Sequence, residues 1–528
     1  MQDKATSERQ ATPAGQSAAE QATVLQLLGD PATYGEESAE VERIDTHGAI
    51  VFLAGERAYK VKRAVAYPYM DFSSLEKRRR ACLRERKINR RTAPDLYLDV
   101  LPVTRNNGEL RLGGAGEAVE WVLIMRRFDQ NCLLSVMAEA GKLTPEIVAA
   151  LADAVASFHD SAEPRRDAAA GAAAMTWVVR ENGEEFAGRG EIFDPQAAQQ
   201  LTEQSLAFLT RHSDLLDARA AAGKVRFCHG DLHLRNVVLL GGRPTLFDAI
   251  EFNDAIACID VLYDLAFLLM DLEHRGLRPF ANLVLNRYLQ QRDEIEALAL
   301  LPLFLSARAA VRAKVAASLE AVAERQEEKI KRRMEAVAYF ERALGYLAPA
   351  LPRLVAVGGL SGSGKTTLAR AVAPEIGAAP GALHLRSDLL RKQQAGVTEL
   401  ERLPAAAYTV EASDAVYAVL ERQAATALAA GQSVVADAVF ARPEERAAIE
   451  QVARQADVPF TGLWLETDPQ VMTARVIERR GDASDATAAI VERQLTYDLG
   501  VIDWHRVEAS RPVGDLAVQA RRLLDEPF

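Results

Sequence analysis

Lysine is scarce in this chain: of its 63 cationic residues, 12 are lysines and 51 are arginines. A lysine inside an apolar strand, or at the end of a glycine-rich loop, is therefore easy to notice. Cysteine is rarer still. Cys82, Cys132, Cys228 and Cys258 include no Cys-x-x-Cys pair, so neither a zinc ribbon nor a disulfide framework is supported. No run of about 18 uninterrupted apolar residues occurs, so no transmembrane helix is expected. The N-terminal MQDKATSERQATPAGQSAAEQA lacks the apolar stretch of a signal peptide and reads as a disordered leader over residues 1–22. A cytoplasmic location follows as the expectation. Basic residues are outnumbered 74 to 63, leaving a net charge of -11. That argues against non-specific binding along nucleic acid, as does the lack of a basic stripe interleaved with aromatics.

What is present is ample core: 49% of 528 residues are apolar and 26% charged. That composition and length belong to a globular protein of roughly three folding units. Residues 49–63 read as a β-hairpin and 74–92 as a charged helix. Strands are expected at 97–103 and 118–125, on either side of the turn Asn106-Asn107-Gly108. From Thr144 the pattern becomes helical, with Pro145 in the first turn. Long helical periodicity over 302–347 ends at Ala348-Pro349-Ala350-Leu351-Pro352, which marks a boundary. Beyond it, strand-like segments at 354–359, 382–386, 433–437 and 461–466 alternate with helices, the pattern of an α/β domain with a parallel sheet.

The segment LVAVGGLSGSGKTT carries Gly359, Ser361, Gly362, Ser363, Gly364, Lys365, Thr366 and Thr367 in a G-x-x-x-x-G-K-[ST] loop after a strand. Glycines let the backbone N–H groups turn toward phosphates, Lys365 reaches the β/γ-phosphates, and the Thr366 hydroxyl suits Mg²⁺. Asp388 follows the next strand, as a base for an acceptor hydroxyl or as a helix N-cap. Asp437 follows a further strand, as a water-mediated Mg²⁺ contact or as a turn residue. Arg475, Arg479 and Arg480 approach one helical face, as a lid over the γ-phosphate or as a solvated face. With the patterns S-D-x-x-R-K and R-x-x-x-R-R-x-D-x-S-D-A, residues 352–515 resemble the small P-loop kinases, the group of gluconate kinase, zeta toxins and polynucleotide 5′-kinase. That resemblance implies Asp388 as base and the three arginines as lid.

In the first half, FCHGDLHLRNVV places His229, Asp231 and Asn236 at the H-x-D-x-x-x-x-N spacing of a kinase catalytic loop. Asp231 would orient and deprotonate the acceptor, while Asn236, with Asp248 after a short hairpin, would ligate Mg²⁺. Glu251 is a second candidate ligand. A zinc site from His229, Asp231 and His233 is the alternative. Lys60 and Lys62 share one strand face, with Glu85 as partner on the charged helix, and either lysine could contact ATP. Over residues 40–345 the chain resembles the aminoglycoside phosphotransferase and choline-kinase-like family. The resemblance makes Asp231 the base, Asn236 and Asp248 metal ligands, and Asp264 a support of the catalytic loop.

The expected architecture is an α+β protein-kinase-like two-lobed domain over residues 23–347, followed by an α/β P-loop NTPase domain over 352–528. The expected activity is a bifunctional ATP- and Mg²⁺-dependent phosphotransferase with two ATP sites. It would act on hydroxyl groups of small polar molecules such as a sugar, a metabolite or an antibiotic. The alternatives are a polynucleotide 5′-hydroxyl kinase or nucleotide-sugar kinase in the second domain, or one domain serving only as an ATP sensor.

Overall fold

A computed structural model describes residues 15–35, 40–67, 70–165, 171–292, 294–479 and 481–525. The first 14 residues of the expected leader and Arg480 lie outside the described residues. By contact, the chain divides into two compact units. One combines Met1–Gly171 with Ala218–Asp264, the other Ala172–Asp217 with Leu265–Phe528. Residues 265–347, which the sequence reading placed with the kinase-like half, therefore group with the P-loop region.

The first unit begins with α1 (Gly15–Gly29), which takes in the last part of the expected leader. Gln21 there is buried, and its amide nitrogen donates to Lys62 O at 2.8 Å and to Glu120 at 2.7 Å. Strands β1 (Val41–Asp45), β2 (Ala49–Ala54) and β3 (Arg57–Lys62) follow, then a two-residue pair, β4 (Ala66–Tyr67) and β5 (Met70–Asp71). Ser74 caps α2 (Leu75–Asn89) by accepting from Lys77 N, as a serine before a charged helix should. Then come β6 (Tyr97–Asn106), β7 (Glu109–Leu112) and β8 (Glu117–Arg126). The Asn-Asn-Gly turn joins β6 to β7, a short strand absent from the sequence reading. All but the β4–β5 pair form an antiparallel sheet in the order β1-β2-β3-β8-β6-β7. Its register sets Val51 opposite Lys60 and Ala49 opposite Lys62, so both lysines point to one face. Helices α3 (Leu134–Glu139) and α4 (Pro145–Ser161) follow, with Thr144 capping α4.

Helices α5 (Ala172–Ala187) and α6 (Pro195–Ala221) lead to β9 (Val225–Phe227), the hairpin β10 (Val237–Leu240) and β11 (Arg243–Leu246), α7 (Asp254–Ala257), β12 (Cys258–Asp260) and α8 (Val261–His274). In the second unit, α9 (Arg278–Gln290), α10 (Leu301–Val322) and α11 (Gln326–Tyr346) precede the expected break. The long periodic stretch is thus two helices, tied by a hydrogen bond from Ser306 Oγ to Ala343 O at 2.8 Å. Beyond lie β13 (Leu354–Gly358), α12 (Lys365–Val372), β14 (Leu383–Arg386), α13 (Ser387–Gln394), α14 (Val410–Ala429), β15 (Val434–Asp437), α15 (Pro443–Gln455), β16 (Phe460–Glu466), α16 (Pro469–Glu478), α17 (Ala488–Gln494), β17 (His505–Glu508) and α18 (Val513–Asp525). The five strands are all parallel, in the order β14-β15-β13-β16-β17. Val355, Val357, Leu368, Val435 and Leu463 are fully buried at its centre. The glycine loop thus leaves the central strand at its carboxyl end, where doubly wound sheets place ligands. No helix among the described residues is long and apolar enough to cross a membrane.

Candidate functional sites

In the first unit, Lys60 Nζ lies 2.7 Å from Glu85 Oε1 and 2.6 Å from Asp248 Oδ1. Lys62 Nζ lies 2.5 Å from the other Glu85 oxygen and pairs with Glu251 as well. The result is one run of alternating charge: Asp248, Lys60, Glu85, Lys62, Glu251. Burial alone would lower both ammonium groups. Asp248 and Glu85 around Lys60, and Glu251 and Glu85 around Lys62, more than reverse this and keep both charged. Burial also pushes Asp248 up, and Lys60 overrides it, holding the carboxyl below the usual range. The two lysines therefore differ: Lys60 touches the candidate metal ligand, and Lys62 lies on the other side of Glu85. Glu251 is committed to Lys62 and buried, and burial raises its carboxyl. The second candidate is thus enclosed beside Lys62, whereas the Asp248 side chain is partly exposed beside Lys60.

Asp248 itself has φ of 62°, a conformation uncommon outside glycine and often found at functional sites. Its N–H donates to Tyr97 Oη at 2.9 Å. The catalytic-loop segment is built around Asp264. That fully buried carboxylate accepts the N–H of His229 at 3.0 Å and of Gly230 at 2.9 Å, and meets His159 Nε2 at 3.1 Å. Gly230 has φ of 81°, and a Cβ there would lie 3.1 Å from Ile250 and 3.3 Å from a carbonyl, so the turn needs glycine. The Asn236 side-chain amide donates to Asp231 Oδ2 and to Asp231 O, both at 2.9 Å. Its own oxygen accepts nothing among the described residues. His229 Nε2 donates to Phe247 O at 2.9 Å, and His229, Asp231 and His233 do not converge as a three-ligand group among the described residues, which counts against the zinc alternative. The one convergent His/Cys/Asp/Glu group among the described residues is His159, Cys228 and Asp264, and Asp264 is already spent on the loop.

In the second unit the glycine loop borders a cleft of about 550 Å³, lined by Ser361 to Leu368 and by Asp388, Asp437, Arg475 and Arg479. Gly359, Gly362 and Gly364 all have positive φ. A Cβ on Gly362 would sit 2.5 Å from Met472 O, so that glycine is obligatory. Lys365 Nζ donates to Leu360 O at 3.0 Å. Burial lowers its ammonium, offset in part by Asp437 and Asp388. Thr366 Oγ1 donates to Asp437 Oδ2 at 2.6 Å, and His384 Nε2 approaches the same oxygen at 3.3 Å. Burial would raise Asp437; the His384 hydrogen bond, with Arg386 and Lys365 nearby, instead holds it at about 2. We assign His384 as neutral, since burial lowers its pKa, so it donates to Asp437 through Nε2–H. Asp437 closes β15 rather than lying in a turn.

The N-cap of α13 is Arg386, so Asp388 does not cap it. Its carboxylate makes no hydrogen bond or ion pair among the described residues and lines the cleft. Arg475 is less free than a lid arginine. It donates to Ser363 O at 3.3 Å and Ala509 O at 2.9 Å, stapling α16 to the loop. Arg479 lines the cleft at the C-cap of α16. Three residues here went unnoticed in the sequence. His384 and Arg386 lie two apart on a buried strand, and polar residues at that spacing in a both-faces-covered strand were the available signal. Gln494, whose Oε1 accepts Ser361 N at 2.7 Å, gave none.

Residues 75–301 match the family described as Phosphotransferase enzyme family. Residues 354–497 match the family described as AAA domain. The uncharacterized protein Rv2004c of Mycobacterium tuberculosis is 31% identical over 481 residues, covering 89% of this chain and 92% of that protein. Protein Mb2027c of Mycobacterium bovis matches over the same shares. Among solved structures, a sugar kinase from Janibacter sp. HTCC2649 is 23% identical, covering 33% of this chain and 95% of its own, with TM-score 0.25. A choline/ethanolamine kinase family protein from Mesorhizobium loti is 14% identical, covering 62% and 99%, with TM-score 0.39. The chain belongs to the same family as Rv2004c and is a kinase-type phosphotransferase, with a phosphotransferase-family region followed by a P-loop region.

Proposed function

We propose that the chain is a bifunctional phosphotransferase with two separate ATP sites, each passing the γ-phosphoryl group to a hydroxyl of a small polar molecule. The observation that carries this reading is a recurrence. Each half brings together a phosphate-type lysine, a ligand-type carboxylate beside it, and a second carboxylate in the place of a base.

Mg²⁺ fits both donor sets, which are oxygen throughout: Asn236 and Asp248 in one, Thr366 and Asp437 in the other. When bound, the ion neutralises phosphate charge during transfer. The chain's own residues do the rest. In the first site Lys60 turns from Asp248 toward ATP phosphate while Glu85 keeps it oriented. The Asn236 amide holds Asp231 by hydrogen bonds, so that its carboxylate can take the acceptor proton. In the second, the loop N–H groups and Lys365 cradle the phosphates, Arg479 neutralises developing charge, and Asp388 takes the acceptor proton. Arg475 positions the loop rather than closing over it. The functional division at 348–352 separates the two chemistries.

The test is a metabolite-pool screen for phosphate gain from γ-labelled ATP, run with wild type, Asp231→Asn and Lys365→Ala. Two products, each lost in a different variant, are expected. A single product lost in both variants would refute two sites. Turnover confined to 5′-hydroxyl oligonucleotides would select the polynucleotide alternative instead.

A further inference from the structure

Strand β14 is an edge of the parallel sheet, paired only with β15. An edge leaves backbone donors and acceptors that must find other partners. Helix α9 supplies them. Asn286 Oδ1 accepts the N–H of His384 at 2.7 Å, and Asn286 Nδ2 donates to Ala382 O at 3.3 Å. Asn282 Nδ2 donates to the same carbonyl at 3.0 Å. The two asparagines stand four apart, hence on one helical face. They are 5% and 7% exposed and hydrogen-bonded to each other. Two side-chain amides thus present an acceptor and donors to one backbone edge, as a neighbouring strand would.

A second tether runs beside the first. Arg287, on the same helix, pairs with Glu399, whose other oxygen lies 4.0 Å from Arg386. Arg386 in turn binds Asp482 at 2.9 Å. At the start of α9, Arg278 donates to Gly377 O at 3.1 Å.

The strand so held carries the acceptor side of the second site. His384 touches Asp437, Arg386 lines the cleft, and Asp388 follows two residues on. The phosphate loop instead springs from β13, inside the sheet. We propose that α9 is a positioning element of the second site, with Asn282 and Asn286 acting as a surrogate strand that fixes β14 and so aims Asp388 and Arg386. This rests on reading the second site as a phosphoryl-transfer centre. It makes P-loop chemistry depend on a helix inside the segment that matches the other family.

The experiment uses the full-length chain in an Asp231→Asn background, which silences the first site. The readouts are hydrogen exchange of the 382–390 segment, affinity for a fluorescent ATP analogue, and ATP turnover with water as acceptor. Asn286→Ala is expected to expose the His384 amide and to lower turnover about 10- to 100-fold, the scale of a misplaced reacting group. Nucleotide affinity should stay within about twofold, since the phosphate loop is untouched. General loosening would weaken both together, and that outcome overturns a positioning role, as does an exposed His384 amide with unchanged turnover. If Asn286→Ala does not fold, Arg287→Ala carries the test. It should lower turnover by about threefold with β14 amides still protected, and no change would overturn the tether. Absence of any turnover in the Asp231→Asn parent would instead sink the phosphoryl-transfer reading, and amide exchange would still decide whether α9 holds β14.

Discussion

The two sites hold their ligand-type carboxylates by opposite means. Asp248 ends an ionic run in which two ammonium groups alternate with three carboxylates, mostly away from water. Asp437 is held by a hydroxyl and a neutral imidazole, with the nearest guanidinium nitrogen 3.8 Å away. The difference teaches what each site spends when its substrate arrives. Under the proposed function, Lys60 in the first would be shared between Asp248 and an incoming phosphate, while Glu85 and Lys62 keep the remainder balanced. In the second, the carboxylate is already satisfied by donors, and under the proposed function Lys365 would give up only its bond to the Leu360 carbonyl when it turns to phosphate. An ionic run is unforgiving when one member is removed, because its partner is left charged and buried. A hydrogen-bonded cluster loses one bond at a time.

The largest effects should come from the two base candidates, and they test whether the sites are separate at all. Asp231→Asn should lower transfer at the first site by about 10²- to 10⁴-fold, and Asp388→Asn should do the same at the second. Each should spare the other product, read by transfer from γ-labelled ATP. Cross-inhibition of both products by either variant would collapse the comparison.

Next in size is the cost of breaking each kind of support. Lys62→Ala leaves Glu85 and Glu251 facing each other, both nearly inaccessible, and should destabilise the fold by about 3–5 kcal/mol. Thr366→Val removes one hydrogen bond from Asp437 and should cost about 1–3 kcal/mol. Urea denaturation of the full chain reads both. Equal costs would show that the ionic run is no more brittle than the hydrogen-bonded cluster.

Those predictions rest on residues that were visible before any coordinates. The glycine loop, Asp231, Asn236 and Asp248 stood out because their chemistry fixes spacing along the chain, and spacing survives in a sequence. The pairing of Lys60 and Lys62 to one face followed from strand periodicity, but which lysine met Asp248 depended on the approach of a segment far along the chain. No local pattern encodes that. Arg475 was legible as an arginine on the correct helix, yet its role as a staple depends on carbonyls of the loop and of Ala509. The α9 contacts with β14 were invisible for the same reason. An asparagine four residues from another is ordinary on a helix, and only the neighbouring edge gives the pair its meaning. The boundary at 348–352 follows proline, whereas compactness follows packing: α9 packs against β14 beyond it, and α9 to α11 group in that sheet's unit.

The smallest expected effect is on pH dependence, and it sharpens the comparison because each site contains one imidazole that burial holds neutral: His229 in the first and His384 in the second. Their folded pKa values lie below the unfolded value of about 6.5, so on acidification the unfolded state takes the proton first. Stability should therefore be level above about pH 6.5 and fall below it, by up to about 1.4 kcal/mol per pH unit for each such imidazole. His47, His212 and His274 are lowered by burial as well, so the total slope belongs to several groups. The carboxylates act in a lower window. Asp437, held at about 2, keeps its contribution above about pH 4 and loses it only as pH falls toward 2. Between pH 6.5 and 4, then, the second site's share of the slope is that of His384 alone. His384→Gln keeps a donor for Asp437 and removes the titration, so urea midpoints at pH 7.5, 6.0 and 5.0 should converge on a shallower slope. An unchanged slope would mean that His384 takes up its proton alike in the folded and unfolded chain, and a steeper slope that it is already protonated when folded and that Asp437 is held ionically after all, as Asp248 is.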